Sequence, residues 1–269
     1  MNLIRAELLK LRTTSMWWIF AVILLPLWGL AVGYNWLAAE VTLSTDGPLG
    51  GGDMGFGSLE RVVAGLYTSG QFSGVLLVML LSAILVTSEF FHLTATSTFL
   101  ATPRRELVIA AKMVIGVLVA LTFWLITTVL NLAVGPLVLS GLGASAHLDA
   151  PEVWQAIALN GLVHVLWSLV GVGAGVLIRS QIGAVITLAV VYIIGTQVLQ
   201  VVFFALSTYV WEPFLALRIL VPTLASDLLI SGPQLAEDPP RWVGGLILVG
   251  YAAITSIVGT LITKQRDIS

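Results

Sequence analysis

Long apolar runs separated by short polar breaks dominate the chain. Residues 16–39 contain no charged side chain, and comparable runs lie within 62–87, 113–139, 153–178, 182–206 and 242–263. About 20 apolar residues rising 1.5 Å each cross the hydrocarbon of a bilayer, so the pattern predicts six transmembrane helices. The first run is too long for the core of a signal peptide, roughly 7 to 15 residues, and is read as a retained span. Trp17, Trp18 and Trp36 sit near its ends, where indole rings favour the membrane interface.

The polar stretches have distinct characters. Residues 1–15 place Ile4, Leu8 and Leu11 on one helical face and Arg5, Lys10 and Arg12 around the rest, the pattern of an amphipathic helix lying on a membrane surface. Residues 40–61 are polar and contain Gly50-Gly51-Gly52, which reads as an external loop. Without the lysine and hydroxyl residue of a P-loop, and without a preceding strand, that glycine run is no phosphate cradle. Arg179-Ser180-Gln181 alone separates the fourth and fifth spans, predicting a tight hairpin. Residues 212–241 combine an apolar piece with Arg218, Pro222 and Asp227, too short and too charged to cross; re-entrant or external helices fit better.

Composition narrows the class. Of 269 residues, 58% are hydrophobic and 10% charged, whereas soluble domains carry about 25% charged residues. The expected fold is an all-α membrane protein, a single transmembrane domain over 1–269. With no cysteine, disulfides, zinc–thiolate sites and thiol chemistry are excluded. With six spans both termini share a side, and that side holds Arg5, Lys10, Arg12, Arg104, Arg105, Lys112, Arg179, Lys264 and Arg266 against Arg61, Arg218 and Arg241 on the other. The excess of basic residues predicts cytoplasmic termini. The segment 88–112 between spans two and three is then intracellular too.

That segment carries the most specific chemistry. Glu89 sits at the end of a span, where the helix dipole disfavours a carboxylate unless a cation pairs with it; Arg104, Arg105 and Lys112 are the candidates. Phe90, Phe91, Phe99 and Leu100 offer apolar surface, with hydroxyls at Thr94, Thr96, Ser97, Thr98 and Thr102, a composition suited to docking in a groove of another protein. The plain alternative is an interfacial loop with a solvated acid. Glu89 and His92 at i and i+3 supply only half of a four-ligand metal set, so no metal is expected.

Within the spans, His164 is the one ionisable side chain away from the ends, apart from tyrosines, and a helix–helix hydrogen bond accounts for it better than a proton relay does. Thr196, Gln197 and Gln200, with Phe203 and Phe204 beyond, mark the fifth span as a possible substrate surface or an interhelical contact; Asn131 and Asn160 allow the same two readings. Gly29/Gly33, Gly70/Gly74 and Gly171/Gly175 have the spacing that lets helices approach closely.

Three stretches carry a resemblance. Leu3-Ile4-Arg5-Ala6-Glu7-Leu8-Leu9-Lys10-Leu11-Arg12-Thr13-Thr14, Glu89 with Thr98-Phe99-Leu100-Ala101-Thr102-Pro103-Arg104-Arg105 and Lys112, and the closing Lys264-Gln265-Arg266-Asp267-Ile268 are similar to ABC-2 type permeases of bacterial ABC transporters, particularly actinobacterial ones. Members of that family commonly show a Glu-Tyr-Arg-His-Gly-Thr-like sequence where this chain has Glu89-Phe90-Phe91-His92-Leu93-Thr94, so the arginine and glycine are missing here. The resemblance implies a six-span export subunit in a plasma membrane, with a coupling helix between spans two and three. It implies that Glu89, Phe90, Phe91, His92, Thr94, Thr98, Arg104, Arg105 and Lys112 meet a separate ATP-binding subunit, which holds ATP and magnesium. It also implies a second permease copy, identical or related, with the second and fifth spans near the dimer axis. No cofactor or catalytic residue is expected on this chain, and nucleic acid is not an expected partner. An ion-coupled secondary transporter and a polytopic membrane enzyme are the alternatives; the metalloprotease His-Glu-x-x-His pattern is absent.

Overall fold

The computed structural model describes residues 2–43, 59–94, 98, 104–211, 213–233 and 238–265. Among the described residues every regular element is a helix. In chain order these are α1 (Asn2–Thr13), α2 (Met16–Leu43), α3 (Leu59–Tyr67), α4 (Gln71–Phe91), α5 (Arg105–Gly141), α6 (Pro151–Ile178), α7 (Gln181–Val190), a π turn (Val191–Gly195), α8 (Thr196–Tyr209), α9 (Phe214–Leu217), a 3-10 turn (Arg218–Leu220), α10 (Pro222–Ser231) and α11 (Trp242–Gln265). Counting α7 through α8 as one rod, six helices are long and apolar enough to cross a membrane: α2, α4, α5, α6, α7–α8 and α11.

The core is built on α4 and α6. Close approach of their backbones requires glycine: a Cβ on Gly171 would lie 2.2 Å from the carbonyl oxygen of Met79, and one on Gly175 would lie 2.7 Å from that of Ala83. Ser82 and Ser168 join the same two helices through a 3.1 Å hydroxyl hydrogen bond. Around this pair, Val75, Met79, Val163, Trp167, Tyr192 and Leu248 bring α7–α8 and α11 into one apolar cluster, while Leu24, Leu81, Ile115 and Phe123 bring in α2 and α5. The Gly171/Gly175 pair is therefore spent on packing within the chain, whereas Gly29 and Gly33 have open space beside them.

Two boundaries differ from those the hydropathy predicts. The second run is not one helix: Thr68-Ser69-Gly70 breaks it, with Gly70 at φ +84°, a conformation that favours glycine, so α3 stands apart and α4 alone forms the span. Helix α4 runs on to Phe91 and α5 starts at Arg105, so 88–91 and 105–112 of the predicted segment belong to the flanking spans and 92–104 connects them. In 212–241, the stretch Phe214–Leu220 meets Pro222–Ser231 at 92°, and Arg218 pairs with Asp238 at 3.0 Å.

Contacts fix which ends lie together. Helix α1 packs on the start of α5, Arg179 lies over the ring of Phe90, 5.4 Å from its centroid, and a Cβ on Gly259 of α11 would meet Gly173 and Val176 near the end of α6. The N-terminal helix, the end of α4, the start of α5, the α6–α7 turn and the C-terminal half of α11 thus share one end of the bundle.

Candidate functional site

At that end four charged side chains from three helices form a closed square. Glu7 and Lys10 stand three residues apart, on neighbouring positions of α1. Lys10 donates to Glu7 Oε1 at 2.6 Å and to Glu89 Oε1 at 2.6 Å. Lys112 donates to Glu7 Oε2 at 2.8 Å and lies 3.1 Å from Glu89 Oε1. It also donates to the carbonyl of Leu85 at 2.8 Å.

Three of the four groups are buried: Glu7 is 4% exposed, Glu89 6% and Lys112 3%. Lys10 is the half-exposed corner. Two carboxylates and two ammoniums cancel, which is what permits ionised groups to be buried at all. Burial raises the pKa of Glu7, but the charge of Lys112 and hydrogen bonds from Lys10 and Lys112 outweigh it and hold the carboxyl below its usual range. Burial likewise lowers Lys10, but its bonds to Glu7 and Glu89 and their charges leave it above the usual lysine value.

The position of Glu89 follows from how α4 ends. His92 closes the helix, Leu93 turns left-handed at φ 58°, the amide of Leu93 bonds to the carbonyl of Phe90 at 3.3 Å, and that of Thr94 bonds to the carbonyl of Glu89 at 2.9 Å. This is a Schellman closure with leucine where glycine is the usual residue. The dipole at this end disfavours a carboxylate, and two ammoniums offset it.

The square lies on one wall of a cavity of about 680 Å³. Leu11, Met16, Leu81, Ser88, His92 and Thr94 are among the residues that complete its lining. Thr98 reaches Glu89 weakly, at 3.5 Å.

Of the expected coupling residues, Glu89, Lys112, His92, Thr94 and Thr98 come together here. Lys112 is the partner of Glu89; Arg104 is exposed and stands outside the network. Phe90 is half-buried against Arg179 and the neighbouring core residues Val86 and Ile109, while Phe91 is exposed and stacks edge-on with His92, ring centroids 5.1 Å apart. The side chain of Arg105, and Phe99, Leu100 and Thr102, lie outside the described residues. Glu7 and Lys10 are the functional residues that the apolar pattern of α1 conceals. Leu8 and Leu11 pack on the bundle as their face requires, but Ile4 is exposed and Glu7 is the most buried residue of the helix. Their i, i+3 spacing on a helix preceding a span was the available signal.

The fifth-span residues form a different picture. Thr196 donates to the carbonyl of Tyr192 at 2.6 Å and shares a 2.9 Å hydrogen bond with Thr223 of α10, so it ties helices together. Gln197 and Phe204 lie on the exposed side of α8, with Gln200 and Phe203 half-buried, and none of them lines the 680 Å³ cavity. Asn131 bonds Trp28 at 2.7 Å and the carbonyls of Tyr67 and Ser69 at 3.1 and 3.0 Å, binding α2, the α3–α4 turn and α5. His164 is fully buried; its Nδ1 bonds the carbonyl of Asn160 at 2.8 Å and its Nε2 has no partner. Among the described residues no three His, Asp or Glu side chains converge as a metal site.

Comparison of the chain with protein-family models and with curated proteins gives no match.

Proposed function

We propose that this chain is the membrane-spanning subunit of an ATP-driven exporter of the ABC-2 type, working as a dimer in a plasma membrane with both termini cytoplasmic, and coupled to separate subunits that bind ATP and magnesium. The observation that carries the reading is the buried square of Glu7, Lys10, Glu89 and Lys112, which fastens α1, α4 and α5 to one another beside the 92–104 connection. A push delivered to that connection from below is passed to two spans and the N-terminal helix together. The left-handed turn at Leu93 supports the same reading, since it falls where the resembled sequence pattern has glycine. The basic side chains of α1, Arg104 and Arg179 cluster at this end, in keeping with a cytoplasmic face.

In this scheme closure of the ATP-binding subunits favours one of two arrangements of the spans, and the chain contributes differential binding of cargo in the two states. The test is co-purification of the tagged protein in mild detergent, followed by ATPase and vesicle-transport assays. Glu89→Gln is expected to keep the partner's ATP hydrolysis while transport falls at least tenfold. A protein with no ATP-hydrolysing partner, or coupled transport unchanged by Glu89→Gln, overturns the proposal.

A further inference from the structure

Helix α4 spans 21 residues, about 30 Å, from Gln71 to Phe91, and its other end borders a second polar space. A cavity of about 410 Å³ opens there between α2, α3, the start of α4 and α10. Its size falls within the roughly 300 to 1,000 Å³ of ligand pockets. Ala31, Ala38, Val62 and Ile230 give it apolar lining, and Asn35, Arg61, Gln71 and Asp227 give it polar lining.

The two charged groups facing this space are not joined. Arg61 donates through Nη2 to the carbonyl of Pro233, and its buried Nε has no partner. Asp227 lines the same cavity beside Gln71, and no cation pairs with it among the described residues. Opposite charges in a partly buried space attract strongly, so a molecule that carries both an anion and a cation can satisfy the two groups together. Such a molecule carries an anion for Arg61 and a hydrogen-bonding ammonium for Asp227.

The setting selects among such molecules. Helix α2 is peripheral, with 6% of its apolar window buried, and Tyr34 at the cavity is 63% exposed, so the space opens towards the outer surface of the bundle. It lies at the level where α4 begins, which is where a bilayer's head groups meet its hydrocarbon. Arginine suits a phosphate through paired N–H donors.

We infer that this cavity binds the head group of a phospholipid bearing a phosphate and a primary ammonium, with Arg61 on the phosphate and Asp227 on the ammonium. Gln71 and Asn35 are the remaining polar neighbours, and the acyl chains follow the exposed apolar side of α2. The site needs no ATP-binding partner, so its test stands apart from the proposed function.

The experiment is native mass spectrometry of the delipidated full-length protein with dihexanoyl phosphatidylethanolamine, phosphatidylcholine and phosphatidylglycerol. The ethanolamine lipid is expected to bind at least about tenfold more tightly than the other two, because a quaternary ammonium has no proton to donate and glycerol has no charge, and a charged hydrogen bond is worth about tenfold or more. Asp227→Asn and Arg61→Gln are each expected to erase that preference. Equal binding of the three lipids to the wild-type protein overturns the inference without reference to any variant. So does a preference that survives in both variants, or soluble glycerophosphoethanolamine competing as well as the lipid, which would make the occupant a free zwitterion.

Discussion

The two ends of α4 handle charge in opposite ways. At the Glu89 end, four ionised groups are gathered into contact, with the buried ammonium of Lys112 against both carboxylates. At the Gln71 end, Arg61 and Asp227 share a cavity and do not touch. The first arrangement holds helices together; the second leaves charge available. Buried charge thus marks a joint where it is satisfied and a receptor where it is not.

Breaking the joint should have the largest effect. Lys112→Met leaves Glu7 and Glu89 with Lys10 alone, and loss of one partner from a buried ion pair costs about 3 to 5 kcal/mol, to be read from chemical unfolding in detergent. Adding Glu7→Gln to Lys112→Met should recover part of that loss, because one uncompensated carboxylate is removed; strictly additive costs in the double-mutant cycle would show that the square is not a unit.

Acid should loosen the same joint from the Glu7 side. The Glu7 carboxyl has its pKa lowered on folding, so the stability it contributes is present above the ordinary carboxylate value of 4.5 and is lost as pH falls through the lower, folded value. Lys10 has its pKa raised, so its contribution is complete below 10.5 and is lost only as pH rises through the higher, folded value. Protection of α1 against proteolysis should therefore stay level across neutral pH and fall in acid, and a fall between pH 6 and 8 would contradict the assignment.

Two smaller changes sharpen the contrast. Leu93→Gly relieves a left-handed leucine and should stabilise by about 1 kcal/mol, seen as a higher melting temperature. Asp227→Asn, made in lipid-free detergent, should change stability by less than about 1 kcal/mol and in the favourable direction, since it removes a carboxylate that no cation balances. The chemically identical change Glu89→Gln should destabilise, and matching signs for the two would erase the difference between the ends.

Much of this was legible in the sequence because bilayer physics is blunt. Long uncharged runs have few alternatives to helices, and Lys112 was already among the partners expected for Glu89. The remainder depends on contacts that no local period records. Glu7 hides within an apparently amphipathic helix, where charged residues are expected to face solvent, and its burial is decided by Lys112, more than a hundred residues away. The break at Gly70 escapes a hydropathy average, because Thr68, Ser69 and Gly70 are few and buried among long apolar neighbours. Arg61 and Asp227 face one cavity only because α3 and α10 pack at the same end of the bundle.

The π turn at Val191–Gly195 has a consequence for how the fifth rod is phased. Closing a turn over five residues instead of four leaves one residue of surplus, and each residue of an ordinary helix advances the side chains by about 100°. Everything beyond Gly195 is therefore rotated relative to the face that α7 sets. Removing a single residue from 191–195 would swing Thr196 away from Thr223 and turn the row from Gln197 to Phe204 towards a new neighbour, with no change in composition. The wide turn acts as an angular offset, and what α8 presents to its surroundings is fixed by a count of residues as much as by their kind.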